Sequence, residues 1–70
     1  MHTKTIGLIA HTGKRGISEL INSIAEEFER FSISIVFEKE TARVAGKSLG
    51  YPVAELGTMT DLLVVAGGDG

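Results

Sequence analysis

The residues Leu62-Leu63-Val64-Val65-Ala66-Gly67-Gly68-Asp69-Gly70 indicate the class of fold more clearly than any others in this seventy-residue chain. Five consecutive apolar residues bounded by turn signals are typical of a buried strand in a parallel sheet. The glycines that follow permit positive φ and let a ligand approach the backbone closely. Asp69 is therefore predicted to stand at the mouth of the sheet, although Asp-Gly is also common in plain turns.

Two further strands and one helix precede this stretch. Ile6-Gly7-Leu8-Ile9-Ala10 is a nearly continuous apolar run, which predicts a strand covered on both faces. Ile33, Ile35 and Phe37 alternate with more polar residues, which predicts a second strand nearer a sheet edge. Between these strands, apolar residues recur at helical spacing and predict an amphipathic helix whose buried stripe comprises Ile17, Leu20, Ile21, Ile24, Ala25, Phe28 and Phe31.

The segment 39–60 allows more than one interpretation. Thr41 could cap a short helix that runs to Ala45, and a further helical turn could span 53–56. Glycine and proline interrupt the segment between these two pieces, at Gly46, Gly50 and Pro52.

Strands that alternate with helices predict an α/β fold with a parallel sheet. Right-handed crossovers and a central first strand favour three strands in the order 2-1-3 with flanking helices, a flavodoxin- or Rossmann-like arrangement. Ligands of such open sheets bind where the strand order reverses, here between the carboxyl ends of the first and third strands. Two loops, 11–16 and 67–70, are expected to meet at that crevice.

The first of these loops offers three candidate binding residues. His11 ends the first strand, and a lone histidine is more often packed or solvated than catalytic. Lys14 and Arg15 could neutralise phosphates or could simply be solvated. No P-loop is present, because Gly13-Lys14 and Gly46-Lys47-Ser48 both lack the first glycine at the spacing that this motif requires. The G-x-G-x-x-G dinucleotide motif is also absent.

The composition excludes several classes of protein. With no cysteine, neither disulfides nor Cys-ligated zinc can stabilise the chain. A formal net charge of −2 provides no basic field for nucleic acid or anionic membrane. The apolar runs are too short to span a bilayer, so a soluble, cytoplasmic protein is expected.

The chain resembles the N-terminal part of the NAD kinases. The resemblance rests on the opening strand 5–10, the segments Glu40-Thr41-Ala42 and Ala54-Glu55-Leu56-Gly57, and above all the run from Asp61 to Gly70. The Gly-Gly-Asp-Gly element alone is only moderately specific, because phosphofructokinases and lipid kinases carry a similar element. The order of the preceding segments is what favours the NAD kinases.

The resemblance implies an activity and a set of site residues. It implies transfer of a phosphoryl group from ATP, or from polyphosphate, to the adenosine ribose 2′-hydroxyl of NAD, with a divalent metal expected to be Mg²⁺. The aspartate that matches Asp69 binds NAD and accepts the proton of that hydroxyl. Gly70 matches a position against the nucleotide, and Gly67 and Gly68 match the loop that shapes the phosphate region.

The resemblance also implies a larger, two-domain kinase that is expected to form a homo-oligomer. Residues 1–70 would be its N-terminal α/β nucleotide-binding subdomain, truncated after the Gly-Gly-Asp-Gly motif and lacking the C-terminal β-rich domain. We therefore expect the seventy residues alone to be inactive. Two alternatives remain: a stand-alone flavodoxin-like nucleotide-binding or signalling module, and a phosphofructokinase- or lipid-kinase-like fragment.

Overall fold

The computed structural model describes residues 4–11, 13 and 15–66. Six elements follow one another along the chain, and the three strands form one parallel sheet in the order β2-β1-β3. The predicted α/β class and strand order are confirmed. The elements are β1 (Thr5–Ala10), α1 (Ile17–Arg30), β2 (Ser34–Phe37), α2 (Lys39–Ala45), α3 (Val53–Met59) and β3 (Leu62–Ala66).

The central strand β1 is covered on both faces, as its apolar run predicted. On one face Leu8 is fully buried and packs with Ile17 and Ile21 of α1. On the other face, a Cβ on Gly7 would lie 2.8 Å from Leu63 Cδ2 of the neighbouring strand β3 and 3.4 Å from Leu56 Cδ2 of α3. Glycine at this position therefore leaves room for the Leu63 side chain over the middle of the sheet, beneath α3.

Helix α1 has a narrower buried stripe than the sequence predicted. It buries Ile17, Ile21 and Ala25, which lie one turn apart, whereas Leu20 stands at the flank of the contact and is exposed. Phe31 was also predicted to be buried but is 71% exposed. The helix ends at Arg30, and the chain then turns through Ser32 at φ 62°. Phe31 therefore lies outside the helix and does not continue its buried stripe.

The ambiguous segment contains two helices. Helix α2 begins after Glu38, whose side chain accepts hydrogen bonds from the first turn, so the prediction of Thr41 as the cap was wrong. It ends at Gly46, which has the left-handed φ of 77° typical of a glycine C-cap. Helix α3 begins after Pro52 and extends three residues beyond the turn predicted for 53–56.

Strand β3 is extended as predicted but is not buried. It forms one edge of the sheet, and Leu62 and Val65 are about 60% exposed, at 61% and 60% respectively. The apolar run was predicted to be a buried strand because continuous apolar runs are typical of covered strands. That prediction was wrong, because within the described residues only β1 pairs with β3, and the contact of β3 with α3 leaves Leu62 and Val65 exposed.

Candidate functional site

The carboxyl ends of β1 and β3 lie side by side. Because all three strands are parallel, their carboxyl ends share one edge of the sheet, and β1 separates β2 from β3. The backbone N–H of His11 donates to the carbonyl oxygen of Ala66 at 3.3 Å, which forms the last rung of the β1–β3 ladder. The loop after β1 therefore begins next to the end of β3, at the point where the strand order reverses.

Few of the predicted site residues fall within the described part of the chain. His11 and Arg15 lie in the segment between β1 and α1, and both are exposed. The described contacts do not bring them together. Lys14 and the whole motif 67–70, with Gly67, Gly68, Asp69 and Gly70, lie outside the described residues, so their roles stay predictions.

The start of α1 lies on the same side of the molecule as this junction, because α1 follows β1 after a short connection. Gly16 is its N-cap, at a left-handed φ of 77°, and no side chain caps the first turn. By residue type, Thr12 and Gly16 are both possible N-caps for this helix. The structure places Gly16 at the cap, and Thr12 lies outside the described residues.

A buried hydrogen-bond network, which the sequence analysis missed, supports the end of β1. Thr41 is completely buried, and its Oγ1 accepts a hydrogen bond from the backbone N–H of Ala10 at 2.9 Å. The same hydroxyl donates to Glu38 Oε1 at 2.9 Å. Strand β2 ends before it can pair with Ala10, so the Thr41 hydroxyl replaces the missing backbone partner. The Glu-x-x-Thr spacing after a predicted strand was the signal available in the sequence.

The carboxylate of Glu38 also caps α2. It accepts hydrogen bonds from the backbone N–H groups of Glu40 and Thr41, each at 3.0 Å. Partial burial acts to raise the pKa of Glu38, but these bonds and the Thr41 hydroxyl together hold that pKa below its ordinary value of 4.5. Charged Glu38 therefore stabilises the folded chain.

This network predicts a pH-dependent stability. A carboxyl whose pKa is lower in the folded state contributes stability above its unfolded pKa and loses that contribution as the pH falls through the folded value. We expect Glu38→Gln to destabilise the chain at pH 7 and to lose most of its effect once the pH is well below 4.5. Urea unfolding of both proteins over this pH range is the measurement, and a pH-independent difference would contradict it.

The described residues also form a groove away from this junction. It has a volume of about 290 Å³ and is lined by residues of β2, which is the edge strand opposite β3, and of the segment 47–51. Its lining is mainly apolar, and Lys47 Nζ lies 5.7 Å from the centre of the Phe37 ring. The groove is thus separate from the crevice predicted at the strand-order reversal.

Neither a metal-binding cluster nor a membrane-spanning helix is found in the described part of the chain. No group of three or more His, Cys, Asp or Glu side chains there is placed to hold a metal ion. No described helix combines the length and the apolar character that crossing a membrane requires.

A parallel α/β sheet with adjacent strand ends at a reversal of strand order defines a class of domains that bind nucleotides and other small ligands. Comparison with known proteins shows that the chain is similar to the N-terminal part of several NAD kinases. NAD kinase of Burkholderia cenocepacia is 37% identical in a 70-residue alignment that covers 96% of this chain. The NAD kinases of Burkholderia thailandensis and Burkholderia pseudomallei are each 39% identical in a 69-residue alignment that covers 94% of the chain.

These matches confirm the resemblance seen in the sequence and are consistent with the N-terminal part of an NAD kinase. The chain spans only 23% of the length of these relatives. No protein-family model matches the chain, and no solved structure matches it.

Proposed function

We propose that this chain is the N-terminal α/β part, 1–70, of an NAD kinase, which phosphorylates the adenosine ribose 2′-hydroxyl of NAD to give NADP. The observation that carries the proposal is the match to NAD kinases along nearly the whole chain. The fold supports it, because Ala66, which immediately precedes the Gly-Gly-Asp-Gly motif, lies beside the end of β1. ATP is the proposed phosphoryl donor, and polyphosphate is a second candidate donor.

Asp69 is proposed as the catalytic base. Its carboxylate accepts the proton of the ribose 2′-hydroxyl while that oxygen bonds to the terminal phosphorus of ATP. The bond from this phosphorus to its bridging oxygen breaks, and ADP leaves. Phosphoryl transfer through a loose transition state depends mainly on positioning and charge neutralisation, so this proton transfer is the only covalent step assigned to a side chain of the protein.

The binding roles follow the same proposal. Gly67, Gly68 and Gly70 contribute backbone that can lie against the nucleotide, since a glycine has no Cβ to exclude it. His11 and Arg15 lie in the segment between β1 and α1, which leaves the sheet at the carboxyl end of β1. Together with Lys14, they are candidates for contacts to phosphate. A divalent metal, Mg²⁺, would neutralise phosphate charge, but the described residues offer no ligand set and none is assigned to it.

We further propose that the complete enzyme is a cytoplasmic homo-oligomer with two domains, and that the seventy residues alone are inactive. The support for inactivity is that the match covers only 23% of the related enzymes, so most of their residues have no counterpart here. Assays of NADP formation by the seventy-residue chain and by the product of the complete reading frame test this proposal directly. Activity of the short chain would contradict it.

Asp69→Asn in the complete enzyme is expected to lower kcat by about 10²- to 10⁴-fold, because a positioned general base contributes on that scale. The melting temperature is expected to change little. Glu55→Gln is the control, because it neutralises an exposed carboxylate on α3. An Asp69→Asn enzyme with unchanged kcat would refute the assignment of the base.

A stand-alone flavodoxin-like module is the second candidate, because the strand order and strand-end geometry also suit that class. NMR titration of the seventy-residue chain with NAD, ATP and FMN separates the two. Saturable shifts at the backbone of His11 and Ala66 with FMN, and none with NAD, would favour the module. A phosphofructokinase- or lipid-kinase-like parent would instead phosphorylate a sugar phosphate or a lipid in the assay of the complete protein.

A further inference from the structure

The end of β1 is hydrogen-bonded to its neighbours on both sides by consecutive backbone N–H groups. The N–H of Ala10 donates to Thr41 Oγ1 at 2.9 Å. The next N–H, that of His11, donates to the carbonyl of Ala66 at 3.3 Å. Successive N–H groups of an extended chain point in opposite directions, so the first bond is to α2 and the second is to β3. The end of β3 is therefore connected to α2 through two hydrogen bonds and one residue step along the chain.

The Thr41 hydroxyl takes the place of a rung in the β1–β2 ladder. The N–H of Glu38 donates to the carbonyl of Leu8 at 3.0 Å, and in a continuing parallel ladder the carbonyl of Glu38 would accept from Ala10. That carbonyl instead accepts from the N–H of Ala42 at 2.8 Å, because α2 begins here. The hydroxyl of Thr41 thus supplies the acceptor that the start of the helix removes from the sheet.

Glu38 fixes the direction of the Thr41 hydroxyl. An ionised carboxylate can only accept, so the single hydroxyl hydrogen lies on the 2.9 Å contact to Glu38 Oε1. The lone pairs of the hydroxyl oxygen then remain for the N–H of Ala10. The carboxylate is itself held by the backbone N–H groups of Glu40 and Thr41. Glu38 and Thr41 therefore act on the end of β1 as one unit.

We propose that Thr41 and Glu38 are positioning residues for phosphoryl transfer, a role that rests on the proposed function. Through the end of β1 they locate the end of β3, and Gly67 of the Gly-Gly-Asp-Gly motif follows Ala66 directly in the sequence. A misplacement of about 1 Å at reacting groups can cost about 10²-fold in rate. Because Thr41 is completely buried, it acts through this path and not by contact with a substrate.

The kinetics of Thr41 variants of the complete enzyme test this role. Thr41→Val removes the hydroxyl and is expected to lower kcat about 10- to 100-fold. The KM values for NAD and ATP are expected to change less than about threefold, because a displaced base affects the transition state more than it affects binding. Thr41→Ser keeps the hydroxyl and is expected to retain kcat within about threefold of the unmodified enzyme.

Leu56→Ala is the control for a loss of stability alone. Leu56 is completely buried on the α3 face of the sheet, near Gly7 and away from α2. The variant is expected to lower the melting temperature at least as much as Thr41→Val, because it leaves a cavity in the core. Its kcat is expected to stay within about threefold of the unmodified value at a temperature at which circular dichroism shows every variant folded. An equal loss of kcat in both variants would overturn the proposal.

A double variant tests whether Glu38 acts through Thr41. Glu38→Ala is expected to lower kcat, because the hydroxyl loses its fixed direction. Adding Glu38→Ala to Thr41→Val is expected to lower kcat little further, since residues that act as a unit are not additive. Losses that multiply would overturn the role of Glu38.

Amide hydrogen exchange of the same complete proteins, measured by NMR, separates this role from the proposed function. Thr41→Val is expected to speed exchange at His11 about tenfold or more, and Thr41→Ser and Leu56→Ala are not. An unchanged kcat in Thr41→Val would overturn the positioning role, and a lower kcat without faster exchange at His11 would overturn its path through β1. A complete protein that forms no NADP would refute the proposed function and this role in phosphoryl transfer, and faster exchange at His11 would then show the path from Thr41 by itself.

Discussion

Thr41→Val is expected to destabilise the chain by about 2–3 kcal/mol, even though valine has nearly the same shape as threonine. The Thr41 hydroxyl is the hydrogen-bond acceptor for the buried N–H of Ala10 and a donor to Glu38. Valine would leave the Ala10 N–H without a partner inside the protein, and an unsatisfied buried donor costs its full desolvation energy. For a chain of this length, that loss corresponds to a fall in melting temperature of more than about 8 °C.

Thr41→Ser is the matched control, because it keeps the hydroxyl and removes one methyl group. It is expected to cost about 1 kcal/mol, the effect of one buried methyl group. Thermal and urea unfolding of the three proteins distinguishes the two effects. If the valine variant is as stable as the serine variant, the hydrogen bonds to Ala10 and Glu38 contribute nothing, and the network does not support the end of β1.

Gly50→Ala is expected to destabilise the chain by about 2–3 kcal/mol, the upper part of the range for overpacking. A Cβ at this position would lie 2.8 Å from the Cα of Lys39 and 2.9 Å from the Cβ of Ala42. Neither atom is the end of a flexible side chain, so the backbone of α2 and the segment before α3 would have to separate. That movement would also disturb the bond between the N–H of Lys39 and the carbonyl of Tyr51.

Gly57→Ala is the control for this substitution. Gly57 lies inside α3, and a Cβ there would meet nothing within 4 Å. Alanine is the better helix former, so this variant is expected to be more stable by about 0.5–1 kcal/mol. Opposite signs for the two glycine-to-alanine changes in urea unfolding would confirm that the close approach at Gly50 is required. Equal effects would contradict it.

The sequence was sufficient to predict the class of fold. The apolar runs of β1 and β3 and the helical period of α1 are signals that neighbouring residues carry by themselves. The strand order followed from chirality rules applied to those elements. The same strand order makes β3 an edge strand, but the exposure of Leu62 and Val65 was not predicted, because an apolar run does not specify which elements cover its side chains.

The candidate site was predictable only in outline. The meeting of β1 and β3 followed from the topology, and the hydrogen bond from His11 to Ala66 agrees with it. The support from Thr41 and Glu38 depends on where β2 stops relative to β1, which is a property of the register rather than of local sequence. The roles of Asp69 and its neighbouring glycines still rest on the resemblance to the NAD kinases.

The position of β1 at the centre of the sheet affects how the protein is made. β1 is synthesised before β2 and β3, yet the hydrogen bond from the N–H of Thr5 to Asp61 joins residues 56 positions apart. The nascent chain can pair β1 with β2 early, but one side of β1 must wait until β3 has been synthesised. During that interval its apolar surface is available to chaperones, and the long-range pairing that completes the sheet is expected to be the slow step of folding.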